Sequence, residues 1–431
     1  MSQHFSSNRR RVVIAMAQLG AAAGAWMVGA PALGQKSVGR VVVVGGGFGG
    51  ATAARYLKLR NPAIDVTLIE PATIFYTCPF SNMYLGGLRS FEQLAQNYDA
   101  LRAMGIHVVH DFAADVNPPS KSVKLQSGKT IAYDKLVLSP GIDFRWNTLK
   151  GYDQSAAEFA PHAWKAGDQT RLLRQQLVDM PDGGVFVMAV SDNPYRCPPG
   201  PYERAGMVAH YFKTHKPKSK ILILDAKDTF SKQGLFQDGW KQLYGGMIEW
   251  VPLSKDGKVV RVDAKALSVE TEFGQIHKAS VLNVIPPQKA GVIAERAGVI
   301  TNSGWAPVKP QTFESTLVPD IYVIGDATIA NPMPKSGFAA NVQAKVVAAA
   351  IVNALAGKDV DKAKFANTCY SLVGPEYGIS IAGVYEVVDG KLAEVKGSGG
   401  VSPKSADSAF RHREAENGSA WYRAITQDTW G

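Results

Sequence analysis

Arg40-Val41-Val42-Val43-Val44-Gly45-Gly46-Gly47-Phe48-Gly49-Gly50 is the stretch that decides how the rest of the chain is read. The β-branched run from Arg40 to Val44 predicts a buried parallel strand. Ala51 to Arg60 carries a helical pattern. Between them Gly45, Gly47 and Gly50 stand at the spacing of a dinucleotide turn, with Phe48 and Gly49 inside it. Glycines here permit a tight turn and let a pyrophosphate approach the helix N-terminus. A second strand, Asp65 to Ile69, ends at Glu70, twenty residues after Gly50. A carboxylate at that place accepts hydrogen bonds from the adenosine ribose hydroxyls. The glycine spacing alone is a weak sign; the strand, helix and trailing acid around it give it weight.

Far downstream, Thr316-Leu317-Val318-Pro319-Asp320-Ile321-Tyr322-Val323-Ile324-Gly325-Asp326-Ala327 resembles the second FAD motif of two-dinucleotide-domain flavoproteins. In those proteins the acid at the Asp326 position meets the ribityl or phosphate region of the flavin. The two motifs in this order predict FAD. The expected fold is α/β, with two dinucleotide-binding-type domains of the disulfide-reductase-like flavoprotein class and a small C-terminal α+β domain. The boundaries read as an export signal at 1–34, the first part of an FAD domain at 35–150 and a second Rossmann-like domain at 151–278. The FAD domain resumes at 279–358, and a flavin-proximal or interface domain fills 359–431.

The middle segment is informative for what it lacks. Val185 to Val190 reads as a strand and Pro201 to Lys213 as a helix, followed by a strand from Ile221 to Leu224. A nicotinamide-binding unit should carry its own glycine turn after the first of these. The chain has Ser191-Asp192-Asn193-Pro194-Tyr195-Arg196-Cys197-Pro198-Pro199-Gly200-Pro201 instead. Prolines offer no N–H groups to a pyrophosphate, so a Rossmann-like unit without a nicotinamide site is expected. Cys197 lies just ahead of the helix, whose N-terminus should favour the thiolate; a buried structural thiol is the alternative. Glu203, on the first turn, either handles protons near that sulfur or complements the helix dipole.

Of 431 residues, 46% are hydrophobic and 19% charged, which supports a large buried core and argues against disorder. The formal net charge of +10 includes Arg9, Arg10 and Arg11, so about +7 remains without them. No basic block interleaved with aromatics marks a nucleic-acid groove. Arg9 to Arg11, the apolar run from Val12 to Val28 and Ala30-Pro31-Ala32 together predict a cleavable twin-arginine (Tat) export signal and a periplasmic protein. No later stretch suggests an integral membrane segment, and no metal site is read. The three cysteines are Cys78, Cys197 and Cys369, and no C-x-x-C-H haem attachment motif is present.

Tyr76-Thr77-Cys78-Pro79-Phe80-Ser81-Asn82, the run from Tyr195 to Ala205, and Asn367-Thr368-Cys369-Tyr370 carry a closer likeness. The chain resembles the flavoprotein subunit of flavocytochrome c sulfide dehydrogenase over essentially all of its length beyond the signal. The resemblance implies an 8α-S-cysteinyl link from Cys78 to FAD and a redox-active disulfide between Cys197 and Cys369. It also implies hydrosulfide as substrate and a separate c-type cytochrome subunit as electron acceptor. Hydrosulfide would open the disulfide to a persulfide and a thiolate, and the thiolate would pass two electrons to the flavin. Lys335 and the helix start at Gly337 would stabilise negative charge on the flavin N1/C2=O edge, unless Lys335 is a plain surface lysine. Trp421 resembles the family's aromatic residue near the flavin, or is a core tryptophan. Two further readings share the cysteines: an accessory flavoprotein of the Sox thiosulfate-oxidising system, and a sulfide:quinone oxidoreductase. The second would want a membrane-binding C-terminus, whereas Ala406 to Gly431 is polar and charged.

Overall fold

The computed structural model describes residues 37–431, so the expected export signal at 1–34 lies outside the described residues. Strand β1 (Arg40–Val44) leads into helix α1 (Phe48–Arg60), then β2 (Asp65–Ile69), β3 (His107–Val109) and β4 (Lys135–Leu138). Val41, Val42 and Val43 are all but inaccessible, because β1 runs parallel between β2 and β4. A continuous apolar run is what a strand covered on both faces requires.

The second sheet starts at β5 (Val185–Val190), followed by α2 (Gly200–His215), β6 (Lys220–Asp225), α3 (Gln233–Tyr244), β7 (Ile248–Val251) and β8 (Val281–Ile285). All its pairings are parallel, in the order β7-β6-β5-β8. The chain then returns to the first sheet with β9 (Ile321–Val323), which pairs with β4 and completes the order β9-β4-β1-β2-β3. The two glycine and aspartate motifs, at Gly45 and Gly325, thereby end neighbouring parts of one sheet, with only β4 between their strands.

Helix α4 (Gly337–Leu355) is capped by Ser336, whose Oγ accepts from Ala339 N at 3.0 Å. It is long and apolar enough to cross a bilayer, but half of it is buried in the protein. Its Ala344, Val347, Ala348 and Ile351 lie in the core, where α4 packs against the small residues of α1. The C-terminal region holds an antiparallel hairpin, β10 (Lys364–Gly374) and β11 (Tyr377–Val388), and a long helix, α5 (Ser408–Trp430). A helix over residues 408–430 was not expected from the sequence. It lies across β11 so closely that a Cβ on Gly378 would stand 2.3 Å from Ala415 N.

Candidate active site

The turn from β1 to α1 is as tight as the glycine spacing requires. Gly45 adopts φ +99, and a Cβ on Gly50 would stand 1.8 Å from the Gly45 carbonyl oxygen. Glu70 closes the turn from the end of β2. Its Oε2 accepts from Gly46 N at 2.7 Å and its Oε1 from Ala72 N at 3.0 Å. A carboxylate has about four acceptor positions, so two remain for ribose hydroxyls. Residues far along the chain wall this turn. Trp430 Nε1 donates to Gly46 O at 3.1 Å, and its ring lies against Phe48 and Phe75. Gly337 starts α4 against the Phe48 ring, which a Cβ would approach to 3.1 Å.

Beyond the turn, buried polar atoms without a protein partner gather around the cysteines. They are Asp326 Oδ1, Trp164 Nε1, Gln288 Nε2 and Trp421 Nε1. Arg196 links three of these residues: it pairs with Asp326 at 3.9 Å, donates to the Trp164 carbonyl and takes the Gln288 Oε1 on its backbone N–H. Orphaned buried donors and acceptors carry a cost unless another group meets them. A hydroxylated chain ending in a ring with N–H and C=O edges is a ligand of the required kind, so the residues present fit FAD. Gly45, Gly47, Gly49, Gly50, Glu70, Gly325 and Asp326 would hold it, with Trp421 at the flank.

Cys78, Cys197 and Cys369 are each unbonded and half-buried in this structure. Cys78 lies at a turn held by Ser81, whose N and Oγ both donate to its carbonyl. Arg196 Nη2 donates to the Cys78 sulfur at 2.9 Å. Cys197 has φ +56, and its N–H donates to Lys335 O at 2.9 Å, tying its loop to the segment before α4. Cys369 is brought to it on β10. The two sulfurs are close enough that the charge of one opposes ionisation of the other. Glu203 joins the surrounding pieces: Asn82 Nδ2 donates to its Oε2 at 2.8 Å and Leu372 N to its Oε1 at 2.9 Å. Burial raises the Glu203 carboxyl above its usual range, against the pull of these hydrogen bonds.

Two expectations need correction. The start of α2 does not make Cys197 acidic: burial, then Cys369 and Glu203, push its thiol well above the ordinary value. Desolvation disfavours the thiolate more than a helix N-terminus three residues away favours it. Lys335 is neither a surface lysine nor a free cation. Its ammonium donates to the carbonyls of Asp326 (2.9 Å) and Thr328 (2.6 Å) and sits over the Trp305 ring at 3.9 Å. Burial lowers it to about 8.

Sequence reasoning also passed over Arg196, Arg204 and Lys232. Buried Arg204 ties Asn82, Asn283 and the carbonyls of His162 and Ala163 together. Arg196 was legible as a cation beside a cysteine; nothing local marks Lys232 or Arg204.

In the second sheet the carboxylate at the end of the second strand, where the adenosine ribose of a nicotinamide dinucleotide would be met, is engaged from within. Asp225, at the end of β6, is inaccessible and accepts from Tyr202 Oη (2.6 Å) and Trp250 Nε1 (2.9 Å). It is also paired with buried Lys227, and Tyr202 stacks on Phe230 at 3.5 Å.

Comparison with known proteins agrees with this arrangement. Residues 170–286 match the central region of the family described as sulfide dehydrogenase [flavocytochrome c] flavoprotein chain. Residues 361–430 match the flavin-binding region of flavocytochrome c sulphide dehydrogenase, and 39–187 the pyridine nucleotide-disulphide oxidoreductases. A sulfide dehydrogenase [flavocytochrome c] flavoprotein chain of Chlorobaculum thiosulfatiphilum is 70% identical over 43 residues, which is 10% of this chain and 90% of that sequence. The mitochondrial sulfide:quinone oxidoreductase of Mus musculus is 26% identical over 314 residues, 71% of this chain and 68% of its own. The crystal structure of the sulfide:quinone oxidoreductase of Aquifex aeolicus superposes with a TM-score of 0.66 at 18% identity, over 90% of this chain and 92% of that one.

Proposed function

The chain belongs to the flavocytochrome c sulfide dehydrogenase flavoprotein family, a group of flavin-dependent sulfide-oxidising oxidoreductases, and from that premise we propose that it oxidises hydrosulfide through Cys197 and Cys369 and delivers the electrons to a c-type cytochrome. The observation that carries this reading is the convergence of the two cysteines and Glu203 beside a cluster of buried polar atoms without partners. When bound, FAD supplies acceptance of an electron pair and release of single electrons. Cys78 would hold it covalently, with Arg196 Nη2 donating to the Cys78 sulfur and fixing its position.

The chain's own residues supply the sulfur chemistry. In the disulfide form of Cys197 and Cys369, hydrosulfide attacks one sulfur, a persulfide forms there, and the other leaves as a thiolate. Glu203, with its raised carboxyl, exchanges protons with the attacking species and the thiols. Trp164, Tyr195 and Tyr202 wall the loop and exclude water. The apolar side of α5, with Tyr422, Ile425 and Trp430, is buried in the protein, so it offers no membrane-binding face toward a quinone. That favours a water-soluble acceptor. The protein is further proposed to be periplasmic, with a mature N-terminus near Gln35, which N-terminal sequencing of exported protein tests.

Anaerobic sulfide with cytochrome c, or with a short-chain quinone, separates the readings. Fast cytochrome reduction with slow quinone reduction is expected. The opposite ranking assigns sulfide:quinone chemistry, and no turnover with either acceptor despite full flavin assigns the accessory role.

A further inference from the structure

Lys232 is 7% exposed and belongs to no motif. It sits at the N-cap of α3 with φ +62, a left-handed backbone that non-glycine residues seldom adopt. Its ammonium reaches Cys369: Nζ donates to Cys369 O at 3.0 Å and to Ser371 Oγ at 2.8 Å, and lies 4.0 Å from Cys369 Sγ. Cys369 and Ser371 are two residues apart on β10 and so share one face of the strand. One cation therefore holds the strand and its sulfur together.

A buried ammonium is costly unless an anion balances it. Lys227, the other buried lysine of this region, pairs with Asp225. Lys232 makes no such pair among the described residues; Glu203 feels its charge from beyond ion-pair distance, while its own oxygens accept from Asn82 and Leu372. The sulfur at 4.0 Å is the atom placed to become its counter-ion.

Resting on the sulfide-oxidising reading above, we propose that Lys232 fixes the polarity of the cysteine pair: hydrosulfide attacks Cys197, and Cys369 is the sulfur that leaves as a thiolate beside the Lys232 ammonium. The Cys197–Cys369 S–S bond breaks and a new S–S bond forms between hydrosulfide and Cys197. The bonding pair stays on Cys369 sulfur, and the single negative charge passes from hydrosulfide to that thiolate. The surroundings of the two sulfurs agree. Cys369 faces Lys232, Glu203 and Ser371, and after burial the largest influence on its thiol is the lowering by Lys232. Cys197 faces Cys369, Glu203 and Cys78, all opposing ionisation, with Lys232 the weakest influence. Lys232 acts here as a positioning residue through Cys369.

Two measurements on the full holoprotein test this. In the first, oxidised wild-type protein receives one equivalent of sodium sulfide without air and is trapped with iodoacetamide for peptide mass spectrometry. The persulfide is expected on Cys197; finding it on Cys369 overturns the proposal. In the second, the pH dependence of alkylation of each reduced cysteine is compared in wild type, Lys232→Met and Lys232→Arg. An opposite charge at this range moves a neighbour's acidity by about one to three units. Lys232→Met should therefore slow Cys369 labelling near neutral pH about tenfold while Cys197 changes by less than about twofold, with Lys232→Arg restoring the wild-type rate. An unchanged Cys369 profile in Lys232→Met overturns the proposal. If sulfide neither bleaches the flavin nor leaves a persulfide on either cysteine, the sulfide-oxidising reading is what fails, and the alkylation profiles still decide the role of Lys232.

Discussion

Replacing Gly50 by alanine places a methyl group 1.8 Å from the Gly45 carbonyl oxygen and 2.9 Å from its carbon. Both are backbone atoms of the turn, and real Cβ contacts stay beyond about 3.0 Å, so α1 must withdraw from the turn by at least about 1.2 Å. β1 cannot follow, since Val41 to Val43 are clamped between β2 and β4. Such overpacking costs about 3 kcal/mol, the upper end for an added methyl group. Alanine in a helix returns about 1 kcal/mol. The remaining ~2 kcal/mol is lost from the fold, a roughly 30-fold shift in the folded-to-unfolded ratio at about 1.4 kcal/mol per tenfold, and the displaced α1 loosens the dinucleotide turn. The assay is flavin content per polypeptide from the 450 nm to 280 nm absorbance ratio, together with the thermal midpoint. Gly50→Ala should purify flavin-poor and less stable. Gly234→Ala, whose Cβ in α3 would meet nothing within 4 Å, should match wild type or exceed it slightly. A Gly50→Ala protein with full flavin and an unchanged midpoint would refute the geometric argument.

Cys78→Ser should release its flavin on acid precipitation, whereas Cys197→Ser and Cys369→Ser should keep acid-stable flavin and lose sulfide-dependent turnover. Loss of covalent flavin from the Cys197 variant would contradict that division. Anaerobic NADH or NADPH should leave the flavin absorbance unchanged, because Tyr202, Trp250 and Lys227 occupy Asp225; rapid bleaching would show that this pocket opens. Glu203, as a proton acceptor with a raised carboxyl, should give a rate that climbs as pH rises through a point above the usual carboxylate range. Glu203→Gln should flatten that limb, and an unaltered pH profile would remove Glu203 from the proton path.

Strands β1 and β2 are found over the residues their apolar runs predict, because a strand buried on both faces leaves no ambiguity of pattern. Helix α1 begins at Phe48 rather than Ala51, since Gly49 and Gly50 continue straight from the turn into the first helical residues. The α5 helix escaped notice for a different reason. Its inner side mixes Tyr422, Ile425 and Trp430 with buried Arg411 and Glu414, which blurs the apolar period. Their partners lie outside the helix: Arg411 donates to the Pro403 carbonyl, and Glu414 accepts from Ser380 and Ser402. In the candidate site, the identity of the cysteines was legible and their acidity was not. The nearness of Cys197 to a helix start is local, but Lys335, whose carbonyl accepts from its N–H, and Cys369, which opposes its ionisation, are far along the chain. Lys232 is hidden for the same reason, being distant from Cys369 along the chain and adjacent only after folding.

The bond from Trp430 to the Gly46 carbonyl spans 384 residues. Thr429 meets Thr52 and Asp428 meets Tyr56 beside it, so the same terminal turn is stitched along α1. During synthesis the first glycine turn emerges early and waits, with one wall absent, until residue 430 has cleared the ribosome. A ribosome that stalls even a few codons short of residue 430 yields a chain with every cysteine in place and no closed cradle. The last turn of α5 is therefore a wall of a cradle whose other walls come from residues more than three hundred positions earlier in the sequence.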